Sequence, residues 1–162
     1  MMSLHVPILE TRVVIWPDEA ACAEWAAALA VRPGLPDAYI ELAGPLGAGK
    51  TTFVRHLLRA LGVHGRVKSP TYAVLEQYEL SGLDILHFDF YRFDDAREWD
   101  EAGFRELFAQ PGLKLCEWPE RVAGRLPLAD LRLHIEPRDG DLRYVTLQAG
   151  SARGQALLPR AR

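Results

Sequence analysis

Cysteine is scarce in this 162-residue chain: Cys22 and Cys116 stand alone, without a C-x-x-C spacing or a paired-histidine pattern. That excludes a disulfide scaffold and a structural zinc site, and both thiols read as small buried hydrophobes, one in a helix and one in a strand. No run approaches the roughly 18 apolar residues of a membrane span. The start, MMSLHVPILETRVV, lacks the basic leader and apolar core of a secretory signal, so the expected location is cytoplasmic, with no membrane among the partners. Basic residues are not in excess either. Lys and Arg number 19 against 22 Asp and Glu, for a net charge of −3, which argues against a protein that grips nucleic acid alone through a basic surface. There is no internal repeat and no low-complexity segment.

What is present is an ordinary globular balance, 49% hydrophobic and 25% charged, in a chain long enough to bury about two-thirds of its unfolded surface. The expectation is one domain over residues 1–150, with residues 151–162 (SARGQALLPRAR) as a flexible basic tail. Elements alternate along it. A β-branched run, Thr11 to Trp16, leads through Pro17-Asp18 into the helical EAACAEWAAALA, with Cys22, Trp25 and Leu29 on its inner face. Ala38 to Gly44 is a compact strand. KTTFVRHLLRALG puts Phe53, Leu57, Leu58 and Leu61 on one stripe and stops at Gly62. SPTYAVLEQYEL and LDILHFDFYRF, split by Ser81-Gly82, read as a hairpin. Asp94-Asp95 caps a helix over AREWDEAGFRELF, interrupted awkwardly by Gly103. Leu113 to Trp118 is a strand cut off by Pro119, and DLRLHIEP, RDGD and RYVTLQAG form a last antiparallel pair. The fold class is α/β: a P-loop NTPase-type three-layer core with a mixed sheet and antiparallel hairpins.

Between the second strand and its helix stands GPLGAGKT, Gly44 to Thr51, which satisfies G-x-x-x-x-G-K-[ST] at every constrained position. Glycines there let main-chain N–H groups turn toward phosphates, and the helix adds its positive dipole end. Leu46, Gly47, Ala48, Gly49, Lys50, Thr51 and Thr52 are therefore the candidate nucleotide contacts. Lys50 would reach the β- and γ-phosphates, Thr51 would give its hydroxyl to Mg²⁺, and Thr52 would meet the α-phosphate. ATP and Mg²⁺ are the implied cofactors; no N/T-K-x-D string follows to read guanine. Pro45 removes one N–H from the loop.

Such a site needs an acidic residue at a neighbouring strand end. Asp89 ends LDILHFD and Glu117 ends LKLCE, and spacing does not rank them. His87, two residues before Asp89, reads as a hydrogen-bonded structural histidine. Arg92 reads equally as a surface residue or a phosphate contact, and Trp118 as core. PDE at Pro17 to Glu19 and the RDGD turn are plausible neighbours of the base.

Four strings in order, GPLGAGKTT, VKSPTY, HFDFYR and CEWPE, resemble the bacterial TsaE family, small P-loop ATPases of tRNA threonylcarbamoyladenosine biosynthesis, from about Val14 through Val145. The resemblance implies that Lys50 and Thr51 keep their phosphate and Mg²⁺ roles, and that Glu117 is the second metal ligand. It makes Asp89 the group that orients or activates the attacking water. Ser69, Pro70 and Thr71 would form a switch-like segment near the γ-phosphate, with Tyr91, Arg92 and Trp118 near the site or a partner surface. The implied partners are the transferase subunit TsaD and its companion TsaB, with tRNA contacted indirectly and ATP hydrolysis resetting the complex between rounds at adenosine 37. The competing classes are a small-molecule kinase, with residues 94–108 as a lid over the phosphates, and a nucleotide-gated binding module that needs no hydrolysis.

Overall fold

The computed structural model describes residues 8–67, 70 and 73–159. Its strands are β1 (Glu10–Trp16), β2 (Tyr39–Ala43), β3 (Leu75–Leu80), β4 (Leu83–Asp89), β5 (Leu113–Glu117), β6 (Leu131–Pro137) and β7 (Arg143–Ala149). Its α-helices are α1 (Glu19–Ala30), α2 (Lys50–Leu61), α3 (Arg97–Ala102), α4 (Phe104–Ala109) and α5 (Ala152–Leu157). The strands form one sheet in the order β1-β7-β6-β2-β5-β4-β3. The central β6, β2, β5 and β4 run parallel. The β3–β4 and β6–β7 hairpins and the β1–β7 pairing are antiparallel. The fold is the mixed α/β arrangement expected from the order of elements.

Helices cover both faces because alternation along the buried strands sends apolar side chains both ways. On one face α1 and α2 lie over Ile40, Leu42, Leu113, Leu115, Leu131 and Leu133. The Asp18 carboxylate caps α1 by accepting from the Ala21 N–H at 2.9 Å, and α2 presents Phe53, Val54, Leu57 and Leu58 to the sheet. On the other face α3, through its Trp99, α4 and a 3-10 turn at Pro119–Val122 close over Tyr39, Phe88, Phe90 and Cys116. Each such side chain, fully buried, contributes about 1.5–3 kcal/mol. Both cysteines are buried and free.

Three expectations need correction. The single helix over AREWDEAGFRELF is two, α3 and α4, because Gly103 adopts φ 72° and ends the first. A left-handed residue cannot continue an α-helix. The strand expected to reach Trp118 stops at Glu117, and Trp118 turns to φ 56°. The expected flexible tail is instead ordered through residue 159: Ser151 caps α5, its hydroxyl accepting from the Gly154 N–H at 3.1 Å and donating to Asp130 at 2.6 Å. Leu157 and Leu158 then pack into the aliphatic core, so apolar burial, not charge, decides this segment. No helix among the described residues is long and apolar enough to cross a membrane.

Strand order places the site. The carboxyl ends of β2, β5 and β4 share one edge, and β2 has parallel neighbours on both sides. That arrangement leaves a crevice at the strand ends, where ligands of open α/β sheets gather.

Candidate functional site

The turn from β2 into α2 is the phosphate loop, and Gly44 fixes its start. A Cβ there would stand 2.5 Å from the Ile135 carbonyl oxygen of β6, at a φ of 145° that side chains rarely adopt. The Pro45 carbonyl accepts from the Ala48 N–H at 3.0 Å, so the residue that forfeits a donor closes the turn through its acceptor. Gly49, at φ 109°, leads into the first turn of α2. Around the loop lies a cavity of about 390 Å³ lined by Leu46 through Thr52 together with Asp89, Tyr91, Glu117, Trp118 and Arg143.

Lys50 is buried, its ammonium donating to the Gly44 carbonyl and, at 3.1 Å, to the Pro45 carbonyl. It also lies 4.1 Å from the centre of the Trp118 ring, a cation–π contact. Burial pushes its pKa below the ordinary value, against the pull of Glu117, Glu120 and Asp89. Trp118, which reads as core from sequence, is half-buried and lines the cavity. Its left-handed backbone turns the indole back over the loop, where Tyr91 packs against it at 4.9 Å between ring centres.

Alternation explains the acidic pair. Glu117 follows Leu113 and Leu115 on the α2 side of β5, and Asp89 follows Ile85 and His87 on the same side of β4. The two carboxylates sit opposite one another in the β4–β5 ladder. Their surroundings differ. Glu117 accepts from the Thr51 hydroxyl at 2.9 Å and pairs with His87 Nε2 at 2.6 Å. Asp89 accepts from the Tyr91 N–H at 2.9 Å. Thr51 and Glu117 thus bring a hydroxyl and a carboxylate oxygen together at the first turn of α2, a hard-oxygen set that suits magnesium alongside phosphate oxygens and water. His87 is fully buried and holds the Glu117 carboxylate in place, an arrangement typical of the groups behind metal ligands.

Pro70 of the SPT string is buried; Ser69 and Thr71 lie outside the described residues. Arg92 is exposed and is not one of the described residues lining the cavity. Beside the cavity around the loop is a second one, of about 180 Å³, where Asp18 and Glu19 from the first turn and Asp141 from the RDGD turn meet Trp16 and Cys22. The two segments singled out as neighbours of a base are therefore side by side. Burial pushes the Cys22 thiol up to about 12, so it is an inert wall of this cavity. Sequence reasoning missed Arg143. It opens β7, follows no motif, and reaches the loop through strand order. Alternation with Asp89 was the available signal for His87.

The family model of threonylcarbamoyl adenosine biosynthesis protein TsaE matches residues 16–145. The tRNA threonylcarbamoyladenosine biosynthesis protein TsaE of Haemophilus influenzae is 41% identical over 119 residues, 74% of this chain and 75% of that protein. Its namesake in Bacillus subtilis is 34% identical over 149 residues, 92% of this chain and 90% of that protein. The crystal structure of Bacillus subtilis YdiB superposes with a TM-score of 0.76 at 26% identity, covering 91% of each chain.

Proposed function

The chain belongs to the TsaE family, and on that premise we propose that it binds ATP with Mg²⁺ at the phosphate loop and hydrolyses it. We place this within an assembly with TsaD and TsaB, so that hydrolysis resets the transferase between rounds of tRNA modification at adenosine 37. The observation that carries the proposal is the line His87–Glu117–Thr51 beside Lys50, at hydrogen-bond distances of 2.6 and 2.9 Å. Few structural demands would bring an imidazole, a carboxylate, a hydroxyl and an ammonium to the mouth of a glycine loop.

The geometry supports one division of labour. Lys50 leaves the loop carbonyls and the Trp118 ring to meet the β- and γ-phosphate oxygens. Thr51 and Glu117 would hold the metal, which would supply positive charge to the phosphate chain. His87 fixes the carboxylate, so little reorganisation accompanies loading. Asp89, on the adjacent strand and 3% exposed, orients water toward the γ-phosphate. Positioning and charge stabilisation supply the rate, as in other phosphoryl transfers. The base takes the smaller cavity, where Asp18, Glu19 and Asp141 offer acceptors to an amino group. A kinase lid is disfavoured because α3 and α4 are committed to the aromatic cluster through Trp99, which is 1% exposed.

One observation favours a module that is gated by nucleotide without hydrolysing it: Asp89 already serves the backbone by accepting from the Tyr91 N–H. The test mixes the chain with TsaD, TsaB, unmodified tRNA and ATP, then counts modified tRNAs per complex for wild type and Asp89→Asn. Multiple rounds with wild type and a stall near one round with the variant are expected. Equal turnover by both would establish the gated module instead, and a lone chain as fast as the assembly would refute the partner dependence.

A further inference from the structure

We propose that Arg143 is a positioning residue for the nucleotide. It would clamp the phosphate loop and set a positive charge where the phosphate chain passes into the nucleoside. The inference rests on nucleotide binding as proposed above. It starts from topology. β7 runs antiparallel to β6, so its first residue arrives at the same sheet edge as the loop, opposite Trp16 on β1 and Pro137 on β6. From there Nε donates to the Ala48 carbonyl at 2.8 Å. Nη1 donates to the Leu142 carbonyl at 3.1 Å and the Gly140 carbonyl at 3.4 Å. The guanidinium is thereby held between the loop and its own turn, with Nε 3.9 Å from where a Cβ on Gly49 would be.

Its position relative to the two cavities gives the clamp a function. Arg143, Ala48, Gly49 and Thr52 line both of them. A nucleotide with its phosphates in the larger cavity and its base in the smaller must cross this boundary. Arg143 is the one basic residue among the described lining of the smaller cavity, facing Asp18, Glu19 and Asp141. Lys50 serves the far end of the phosphate chain from the other side of the loop. A planar guanidinium suits the junction, because it holds a carbonyl on one edge while offering further donors to a phosphate oxygen. Lysine would keep the charge but not the rigid planar fork that fixes one edge on the Ala48 carbonyl while another faces a phosphate oxygen.

The measurement is calorimetric binding of ADP and ATP, each with magnesium, to the full chain and to Arg143→Met and Arg143→Lys. Arg143→Met is expected to weaken both nucleotides alike, by about 10–100-fold, the size of a lost charge-assisted hydrogen bond. Arg143→Lys should fall between the two. In the reconstituted assay KM for ATP should rise far more than kcat falls. Thermal unfolding without nucleotide reports on folding, and if Arg143→Met fails to fold, Arg143→Lys carries the test through its weaker binding. Wild-type affinity in the folded variants overturns the inference while leaving ATP binding intact, as does a loss confined to ATP, the mark of a group acting at the γ-phosphate. A wild-type chain that binds neither nucleotide overturns both proposals.

Discussion

Under α1 and α2 the sheet is lined by aliphatic side chains, Ile40, Leu42, Leu115 and Leu133 among them. On the other face rings take over: Phe88 of β4, with Phe90 and Phe93 just beyond it and Trp99 on α3, is in a cluster with Phe104 and Phe108 of α4. The difference follows the helices. α1 and α2 are 12 residues each and bury side chains along their length, Cys22, Ala26 and Leu29 on α1 and Phe53, Val54, Leu57 and Leu58 on α2, so many small contacts suffice. α3 and α4 are 6 residues each, too short to be stable alone. A few large aromatic surfaces hold them down. The site straddles both layers. Lys50 and Thr51 ride on the long helix of the aliphatic side. Trp118 packs against the aromatic side, and Tyr91 packs on the Trp118 ring.

The sharpest way to break this comparison is to hollow each side in turn. Trp99→Ala removes a ring lying 5.0 Å from Phe108 and 5.6 Å from Phe104, and should cost about 3–5 kcal/mol. Leu57→Ala, fully buried on α2, should cost about 2–5 kcal/mol. Denaturant unfolding gives the totals, and amide exchange gives the distribution. Trp99→Ala should expose residues 97–109 well before α2, whereas Leu57→Ala should lower protection throughout. Uniform loss in both variants would mean the two layers form one cooperative unit.

A smaller effect is expected at the break between the short helices. Gly103→Ala places a Cβ at φ 72° and should destabilise by about 1–2 kcal/mol, read from the denaturant midpoint. A stabilising result would mean that α3 and α4 gain from fusing into one helix.

The smallest effect concerns the one buried carboxylate on the aromatic face of β2. Glu41 accepts from the Tyr39 hydroxyl at 2.7 Å and lies 3.6 Å from Arg132. Burial nevertheless raises its pKa above the ordinary 4.5. The folded protein therefore holds this proton more tightly than the unfolded chain. The resulting stability is full below the unfolded value and is lost as pH rises through the folded one. Glu41→Gln escapes that loss. Its melting temperature relative to wild type should climb from about pH 4 to about pH 7, by an amount worth about 1 kcal/mol or less. A flat or falling difference would show that Tyr39 and Arg132 outweigh desolvation.

Legibility from sequence followed the same divide. The aliphatic layer was readable because each helix carries local signals: an Asp18 cap opens α1, and an apolar stripe closed by Gly62 marks α2. In the aromatic layer, Gly103 is visible in the sequence but its consequence is not, since whether a glycine bends or breaks a helix depends on what the flanking turns pack against. Trp118 looked like core because indoles usually are. Its left-handed turn depends on the end of β5 and on Pro119 after it. The C-terminal segment looked like a frayed basic tail because its charges are conspicuous, while Leu157 and Leu158 find their burial against a sheet distant in the chain.

By itself the sequence determined the local chemistry: a glycine loop ending in Lys50-Thr51 between a strand and a helix, and two strands each ending in a carboxylate. Such features depend on spacing along one stretch of backbone, where the period of side chains and the conformations open to glycine decide the outcome. Only the tertiary structure decided that Glu117 rather than Asp89 meets Thr51, that His87 stands behind it, and that Arg143 reaches the loop from the far end of the chain. Those pairings depend on strand order, and strand order is set by how the whole chain buries its apolar surface on two faces at once.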